Sequence, residues 1–556
     1  MRTISIIDYM QYKKGENWTP AVIAALSENK ADVTLRFPKG EYKFWEEGSV
    51  QHKCIVTNNS GGVKNVIFPL LKSENIVIDG DGSDFIFHGN TFPFICDNAK
   101  GITLKNFNMD YDMPFHREFT VEECTTDYAV LSIDSEKYPV KVENEQLIFY
   151  SEYWQNNPEI AFLVTEYDPK TKAMQYGHGY YVKDQIPKVR QDERVKMSVE
   201  QIDKNMIKMT TKFDIPLVKG NVLTMQNEGR SNCGIFANRC EDVAVIDVNI
   251  YHCGGMGVVM QMVKNVTLER ANITLRDFSL DRVVSITADA THFVHCMGKM
   301  SIKDCVFDNM LDDGTNVHGV YTVIKKKVSP NTVETKYEHM RVDIYNPGDK
   351  VIFIDKPTMQ PMGEAIVKSV EDIDDFKSIL VFEEDLPDNI KADVAIENRT
   401  NMPDFVHISG CRTGNNRPRG FLITTAGEVL IENNTFYNPD CGIEMAGDSN
   451  HWFESGAVEN VTVRNNVFDN CGYSGGCPAI HICPQVKEGE KPFHKNVKIV
   501  GNEFRSFHNR VMFANHVENL TLQDNKFIKT DKYPDFDPNT PHTQIKNAPN
   551  RSIQLF

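Results

Sequence analysis

The sequence predicts an all-β fold, a parallel β-helix interrupted by two inserted β domains. Three observations predict it. A short strand template recurs ten times, the recurrences are spaced at about one solenoid coil, and turn residues rather than helical segments separate them. The template is a polar residue, often Asn, then apolar-x-apolar, then one or two polar residues and often a closing Phe. It reads NIVIDG from Asn75, GITLKNF from Gly101, DVAVIDV from Asp242, NVTLERA from Asn265 and KMSIKDCVF from Lys299. It returns as VHISGC from Val406, EVLIENNTF from Glu428, NVTVRNNVF from Asn460, NVKIVGNEF from Asn496 and NLTLQDNKF from Asn519.

Alternating apolar and polar residues mark a strand with one buried face. The first apolar positions are 76, 102, 243, 266, 300, 406, 429, 461, 497 and 520, and neighbouring intervals include 26, 23, 34, 23, 32, 36 and 23 residues. Such a period marks a solenoid whose coils cap one another. A leucine-rich repeat would need the LxxLxLxxN string and a helical half, and both are missing. Asn and Gly after the strands suit tight corners, where Asn takes left-handed geometry and bonds to its own backbone or to the next coil. The closing Phe residues stack inside the core, and the N-x-[ST] strings at Asn265 and Asn460 belong to the strand template rather than to glycosylation.

Two intervals, 141 residues from 102 to 243 and 106 from 300 to 406, exceed a coil. Each holds β-rich sequence unlike the template, such as EFTVEECTTDYAVLSID and GVYTVIKKKVSPNTVETKYEHMRVDI. These read as small antiparallel β-barrel or sandwich insertions over 117–225 and 320–403. The helix then occupies 1–116, 226–319 and 404–556. VTLRFPKGEYKF is its opening strand region, and the Pro-rich segment from about Asp531 wraps the surface.

The chain has 556 residues, 41% apolar and 25% charged, the balance of an ordinary soluble protein. Its 60 basic and 77 acidic residues give a formal net charge of −17, a poor match to nucleic acid or another polyanion and a better one to a neutral substrate. No apolar run is long enough to span a bilayer. The start lacks the apolar stretch of a secretory signal, which fits a cytoplasmic protein or one whose signal has been removed. Thirteen cysteines without CxxC spacing argue against a zinc site and against a fully paired disulfide framework. Most, such as Cys305, Cys411 and Cys441, read as small buried apolar residues.

The candidate chemistry centres on Asp289 in ITADATHF and the pair Asp312 and Asp313 in DNMLDDGTNVHG. Asp289 and Asp312 are 23 residues apart, about one coil. Residues one coil apart stack at about 4.8 Å. In DDG the two acids lie at a turn, with Gly314 freeing the backbone so that both can face one cleft. Crowded carboxylates cannot all ionise, so one pKa rises and supplies a protonated acid beside ionised partners. Glycoside hydrolysis needs that pairing. The bland alternative is a solvated DDG turn and a corner-capping Asp289.

His292 and His318 flank the cluster, and Arg230 can bond sugar hydroxyls or hold a carboxylate. Arg239 and Arg412 are weaker candidates. Asp112, with Asp110 and His116, ends an early coil beside the first insertion. GIEMAGDSNHWFESGAV contributes Glu444, His451, Trp452 and Glu454, the indole being suited to the apolar face of galactose. The GHGYY string after Tyr176 has no supporting constellation. No nucleotide fingerprint, Ser-His-Asp triad or diagnostic calcium string is present.

The strings FPKGEYKFW, NIVIDGDGSDFIFHG, FDNMLDDGTNVHG, VLIENNTF and AGDSNHWFESGAV together resemble glycoside hydrolase family 110, the α-1,3-galactosidases acting on blood group B and related α-galactosyl ends. The resemblance runs over nearly the whole chain. It implies a right-handed β-helix with two inserted β-barrels, inversion at the anomeric carbon, and no cofactor or catalytic metal. It implies a glycan partner ending in α-1,3-galactose, either fucosylated blood group B or linear, and a periplasmic or secreted location where an export signal has been removed. Its catalytic aspartates fall on Asp289, Asp312 and Asp313. The sequence leaves open which of the three is the acid; the division adopted as an expectation has Asp312 protonate the leaving oxygen while Asp289 and Asp313 handle the water. Arg230, His292, His318, Glu444, Trp452 and Asp112 are the substrate-binding candidates.

A polygalacturonase-like hydrolase shares three aspartates and a following HG, here His318-Gly319, but its RxK string is missing after His318. A calcium-dependent lyase and a non-catalytic glycan-binding β-helix complete the alternatives. Uncapped coil ends and insertions can support a homodimer.

Overall fold

All ten template positions stack in one column in the computed structural model, which describes residues 1–156, 162–177, 197–213, 215–227, 229–278, 282–338, 342–487 and 491–554. Ile76 pairs with Ile102, Ile102 with Val243, Val243 with Val266, and Val266 with Met300. The column continues through Met300–Val406, Val406–Val429, Val429–Val461, Val461–Val497 and Val497–Leu520. Every pairing is parallel and every one of these side chains is buried. The register therefore passes through both long intervals unbroken. The chain is a parallel β-helix.

Each coil has three sides. The template strand forms the first and the short Phe strand the second, as in Asn460–Arg464 and Val467–Asp469. A third side runs through Thr91–Asp97, Ile235–Asn238, Val258–Gln261, Thr291–Val294, the start of Thr315–Ser329, and then Phe421–Thr424 and Ile443–Met445. The corners bend through left-handed Asn and Asp residues, among them Asn75, Asp242, Asn265, Asn433 and Asn465. Between template and Phe strands an amide ladder crosses the coils. Asn434 donates to Asn466 Oδ1 at 3.0 Å, Asn466 to Asn502 at 3.0 Å, and Asn502 to Asn525 at 3.0 Å. These amides bond along the stack and to neighbouring backbone carbonyls, so they are satisfied and hold the coils in register. Inside, Phe436, Phe468 and Phe504 stack at centroid distances of 4.8 and 4.9 Å, with planes 8° apart.

Helix Thr19–Glu28 buries Ala21, Val22, Ala25 and Leu26 against the main core. No helix among the described residues is long and apolar enough to cross a membrane. Strand Arg2–Ser5 precedes VTLRF and pairs with it, so the opening strand lies earlier than the sequence reading put it. The segment after Asp531 also differs from a plain surface wrap. Thr543–Ile545 pairs with Met512–Ala514, and Arg551–Ile553 pairs with part of Val517–Gln523. Its Tyr533 packs with Tyr437 and Tyr473.

The first excursion contains a six-stranded antiparallel sheet running from His116–Cys124 to Val222–Asn227, with a separate core around Phe119, Leu131, Ile207 and Leu223. In the second, Thr315–Ser329, Thr332–Tyr337, Lys377–Phe382, Gln360–Asp372, Lys350–Asp355 and Ala395–Asn398 pair in that order and the last pairs back to the first, closing a barrel. Thr315–Ser329 thus begins as the third side of a coil and continues into the barrel, so the boundary read at 320 falls inside one strand.

Removing the ring at Phe468 opens a cavity between two stacked partners. Phe468→Ala is expected to destabilise the chain by about 3–5 kcal/mol, read as a lowered urea midpoint. An unchanged midpoint would show that the ring column does not hold the coils.

Candidate active site

Site geometry follows from register on the third side. Thr291 pairs with Thr315, so Asp289 and Asp313, each two residues before its threonine, occupy equivalent positions on adjacent coils. The partner of Asp289 is therefore Asp313, 24 residues on, not Asp312 as the 23-residue spacing suggested. The backbone makes the same link, Ala290 N–H donating to Asp313 O at 2.8 Å. Thr315 pairs with Phe421, which puts Arg419 at the equivalent position of the third coil.

Gly314 serves this stacking in a way the sequence reading did not anticipate. Its φ is not in the left-handed region. A Cβ there would meet Thr413 Oγ1 at 2.6 Å and Gly420 O at 2.7 Å, so glycine is required by close approach of the next coil.

Three carboxylates and two guanidiniums converge. Arg419 grips Asp313 with two hydrogen bonds, Nε to Oδ1 at 2.9 Å and Nη2 to Oδ2 at 2.8 Å. Arg230 donates to Asp312 and has Nη1 3.8 Å from Asp289 Oδ1. Asp289 Oδ2 lies 2.8 Å from His292 Nδ1, and His292 Nε2 lies 3.0 Å from His318 Nε2. The Asp289 and Asp313 side chains are 4% and 2% exposed and that of Asp312 is 16% exposed, so Asp312 is the member that reaches solvent. Asn416 Nδ2 steadies the turn by donating to Asp312 O and Arg419 O.

Burial and then the charge of Asp312 push Asp289 well above the carboxylate range, against Arg230 and Arg419. Burial acts on Asp312 too, but Arg230, Arg417 and Arg419 outweigh it and hold it below that range. Burial also pushes Asp313 up, against the pull of Arg419. The buried Asp289 and Asp313 pair is thus the favoured place for a proton in the cluster, and Asp312 the member that favours its charge. Burial lowers His292 and His318 to about 4, so both imidazoles are neutral near pH 7.

Arg419 reaches on to Glu444 at 2.8 Å, and His481 Nδ1 meets the other Glu444 oxygen at 2.9 Å. Glu444 is held at about 2 despite burial, because Arg419 and His481 stand beside it. Burial opposes charge on His481, but hydrogen bonds to Cys483 and Glu444 lift it to about 10. From the second barrel's root, Glu454 pairs in an antiparallel bridge with Val320 and accepts from Asn316 Nδ2 at 3.2 Å. Trp452 is 54% exposed and lines, with His318, Tyr321, Asn58 and Phe453, a recess beside the cluster.

Of the sequence candidates, Asp289, Asp312, Asp313, Arg230, His292, His318 and Glu444 form one connected network, with Trp452 at its rim. Asp112 stands apart, its Oδ2 meeting His88 Nδ1 at 2.8 Å. It follows strand Lys100–Tyr111, which stacks two pairings upstream of Lys264–Ile273, the strand before Asp289, so its proximity to the first insertion did not bring it to the site. Arg239 instead reaches Asp343 and Asn346, and Arg412 pairs with Asp308. His116 binds Glu118, and Asp110 binds Arg282. Residues 178–181 of the GHGYY string lie outside the described residues. Arg419 was missed. Its position two residues before a third-side strand is the signal, but the second barrel separates it from Asp313 by 106 residues.

Residues 118–223 match the family model described as GLAA-B beta-barrel domain I, and 335–396 match GLAA-B beta-barrel domain II. The chain is 36% identical over 541 residues to Alpha-1,3-galactosidase A of Shewanella woodyi, spanning 96% of this chain and 87% of that protein. It is 32% identical over 517 residues to Alpha-1,3-galactosidase B of Bacteroides thetaiotaomicron, spanning 90% and 81%. A solved A-module of an Azotobacter vinelandii mannuronan C-5 epimerase aligns at a TM-score of 0.40 and 9% identity over 99% of this chain and 100% of that one, a likeness too slight to bear on the chemistry.

His481 carries the clearest titration signature. Its folded pKa is raised, so the stability it contributes is complete below its ordinary value of 6.5 and is lost as pH rises through about 10. In Glu444→Gln the His481 ring resonances are expected to titrate well below 10, read by NMR on histidine-labelled protein. Titration still centred near 10 would mean that Glu444 does not set the charge.

Proposed function

The chain belongs to the α-1,3-galactosidase family, and from that premise we propose that it is an exo-acting glycoside hydrolase that removes terminal α-1,3-linked galactose from glycans with inversion. The observation that carries the reading is the convergence of Asp289, Asp312 and Asp313 on one site under two guanidiniums. A galactosyl end of a blood group B or linear type is the substrate class.

Asp289 and Asp313 stand at equivalent positions of adjacent coils, one strand spacing of about 4.8 Å apart. Two carboxylates so placed can share one water, orient it and take its proton. Asp312 is the most exposed of the three and reaches out from the turn, which suits protonation of the departing glycosidic oxygen. Inversion calls for acid and base about 6.5–9.5 Å apart so that the water fits beneath the sugar.

The resting electrostatics put the proton on the other side of this division, since Arg230 keeps Asp312 ionised. Substrate supplies the change. Galactose hydroxyls that accept from Arg230 draw its charge away from Asp312 and exclude water from the site. Asp312 then becomes the carboxyl best able to hold the cluster's proton, and Asp289 and Asp313 ionise together as the base. Arg419 stabilises that ionised pair through its two bonds to Asp313. The exposed Trp452 face offers a platform for the apolar side of the sugar.

Asp312→Asn is expected to lower turnover of Galα1,3Gal by about 10²–10⁴, and by far less for a p-nitrophenyl α-galactoside, whose leaving group needs little protonation. Asp289→Asn and Asp313→Asn should slow both substrates alike. Leaving-group sensitivity confined to Asp289→Asn would reassign the acid. NMR of the first-formed sugar should show the β anomer; the α anomer would overturn inversion. Absence of galactose release from any α-galactoside would overturn the activity itself.

A further inference from the structure

Downstream of the carboxylates, the same column reaches a thiol. Phe421 pairs with Ile443 and Ile443 with Ile480. The position two residues before each third-side strand, held by Asp289, Asp313 and Arg419 on successive coils, passes to Cys441 and then Pro478. Cys441 is buried. Asp440 precedes it on the same coil, and Cys477 precedes Pro478 on the next. The two sulfurs and an Asp440 carboxylate oxygen all lie within 4.8 Å of one another.

We propose that Asp440, Cys441 and Cys477 form a binding site for a zinc-class divalent cation that clamps two coils at the downstream end of the carboxylate groove. Two thiolates and one carboxylate are the donor set of a borderline-soft ion, with Zn–S about 2.3 Å and Zn–O about 2.0–2.2 Å. A tetrahedron with those bonds has edges of about 3.5–3.8 Å, so the three atoms need close by only about an ångström. Water completes the fourth position.

The ligand turn is built independently of any ion. Gly472 N–H donates to Asp440 O at 2.9 Å, Gly476 N–H to Gly472 O at 2.7 Å, and Asp440 N–H to Pro418 O at 3.1 Å. Gly472 has φ +82° and a Cβ there would meet Cys477 O at 2.1 Å, so glycine is what lets the turn bring Cys477 under Asp440. Binding releases the two thiol protons to solvent and leaves a shell of net charge −1, which faces the cations Arg419 and His481. Cys441 and Cys477 are 36 residues apart, so their meeting is a product of coil stacking that no CxxC-type spacing reveals. The proposal is independent of the galactosidase reading.

The test uses the full chain, purified under reductant, stripped with chelator and dialysed against zinc, with metal counted by mass spectrometry. The expected result is one tightly held zinc per chain, lost in Cys477→Ser and retained in Cys483→Ser. Replacement by cobalt should give a near-ultraviolet thiolate charge-transfer band of two-sulfur intensity, reduced by about half in Cys477→Ser. Asp440→Asn keeps both sulfurs and should weaken affinity at least about tenfold, which guards against misfolding of the cysteine variant. No retained zinc, an unchanged cobalt band in Cys477→Ser, or a Cys441–Cys477 disulfide in the native protein would each overturn the proposal.

Discussion

Two carboxylates buried one strand spacing apart can coexist only because guanidiniums stand against them. Asp289 and Asp313 are forced together by the parallel ladder, and neither can retreat to water. Removing such charges from solvent costs several kcal/mol each. Arg419 on the next coil and Arg230 at the re-entry of the first excursion offset that cost, and they set which of the three acids is ionised. The two arginines reach the cluster by different routes. Arg419 arrives by register, as the next member of the column. Arg230 arrives by insertion, where the chain returns from the six-stranded sheet.

The same ladder explains what the sequence made legible. Ten apolar positions announced the column, and all ten pair in order, because a period-two strand with one buried face leaves its mark on every coil. The three aspartates were legible for a related reason: acids at a fixed offset from a strand are unusual where the neighbouring positions are apolar. Counting residues nonetheless paired the wrong two. A coil of 24 residues aligns Asp289 with Asp313, and only the threonine pairing reveals that the corner holds one residue more than the spacing implied.

Other parts were illegible for physical reasons. Arg419 is adjacent to Asp313 in the stack but lies beyond a closed barrel in the chain, and local patterns carry no information across that gap. Glu454 and Trp452 were legible as residue types, but the two-residue antiparallel bridge to Gly319 and Val320 that brings their segment to the site carries no periodic signal. Asp112 lies away from the acidic column for the opposite reason. It sits at an attractive place in the sequence, beside an insertion, but its coil lies upstream of the one where the column turns acidic. Gly314 illustrates a subtler limit. A glycine after two acids reads as a turn, whereas its role is to admit the carbonyl of Gly420.

Both excursions leave and rejoin a stack whose register does not change. Ile95, before the first, pairs with Phe236 after it, and Val317, at the threshold of the second, pairs with Ile423 beyond it. The ends of each excursion are thus pinned about one strand apart by bonds that the excursion does not make. Loop-closure entropy grows only slowly with length under such conditions. The scaffold therefore treats each module as an attachment whose size it does not sense. Lineages sharing this solenoid could exchange, enlarge or trim these modules while the stacked acids and arginines keep their positions.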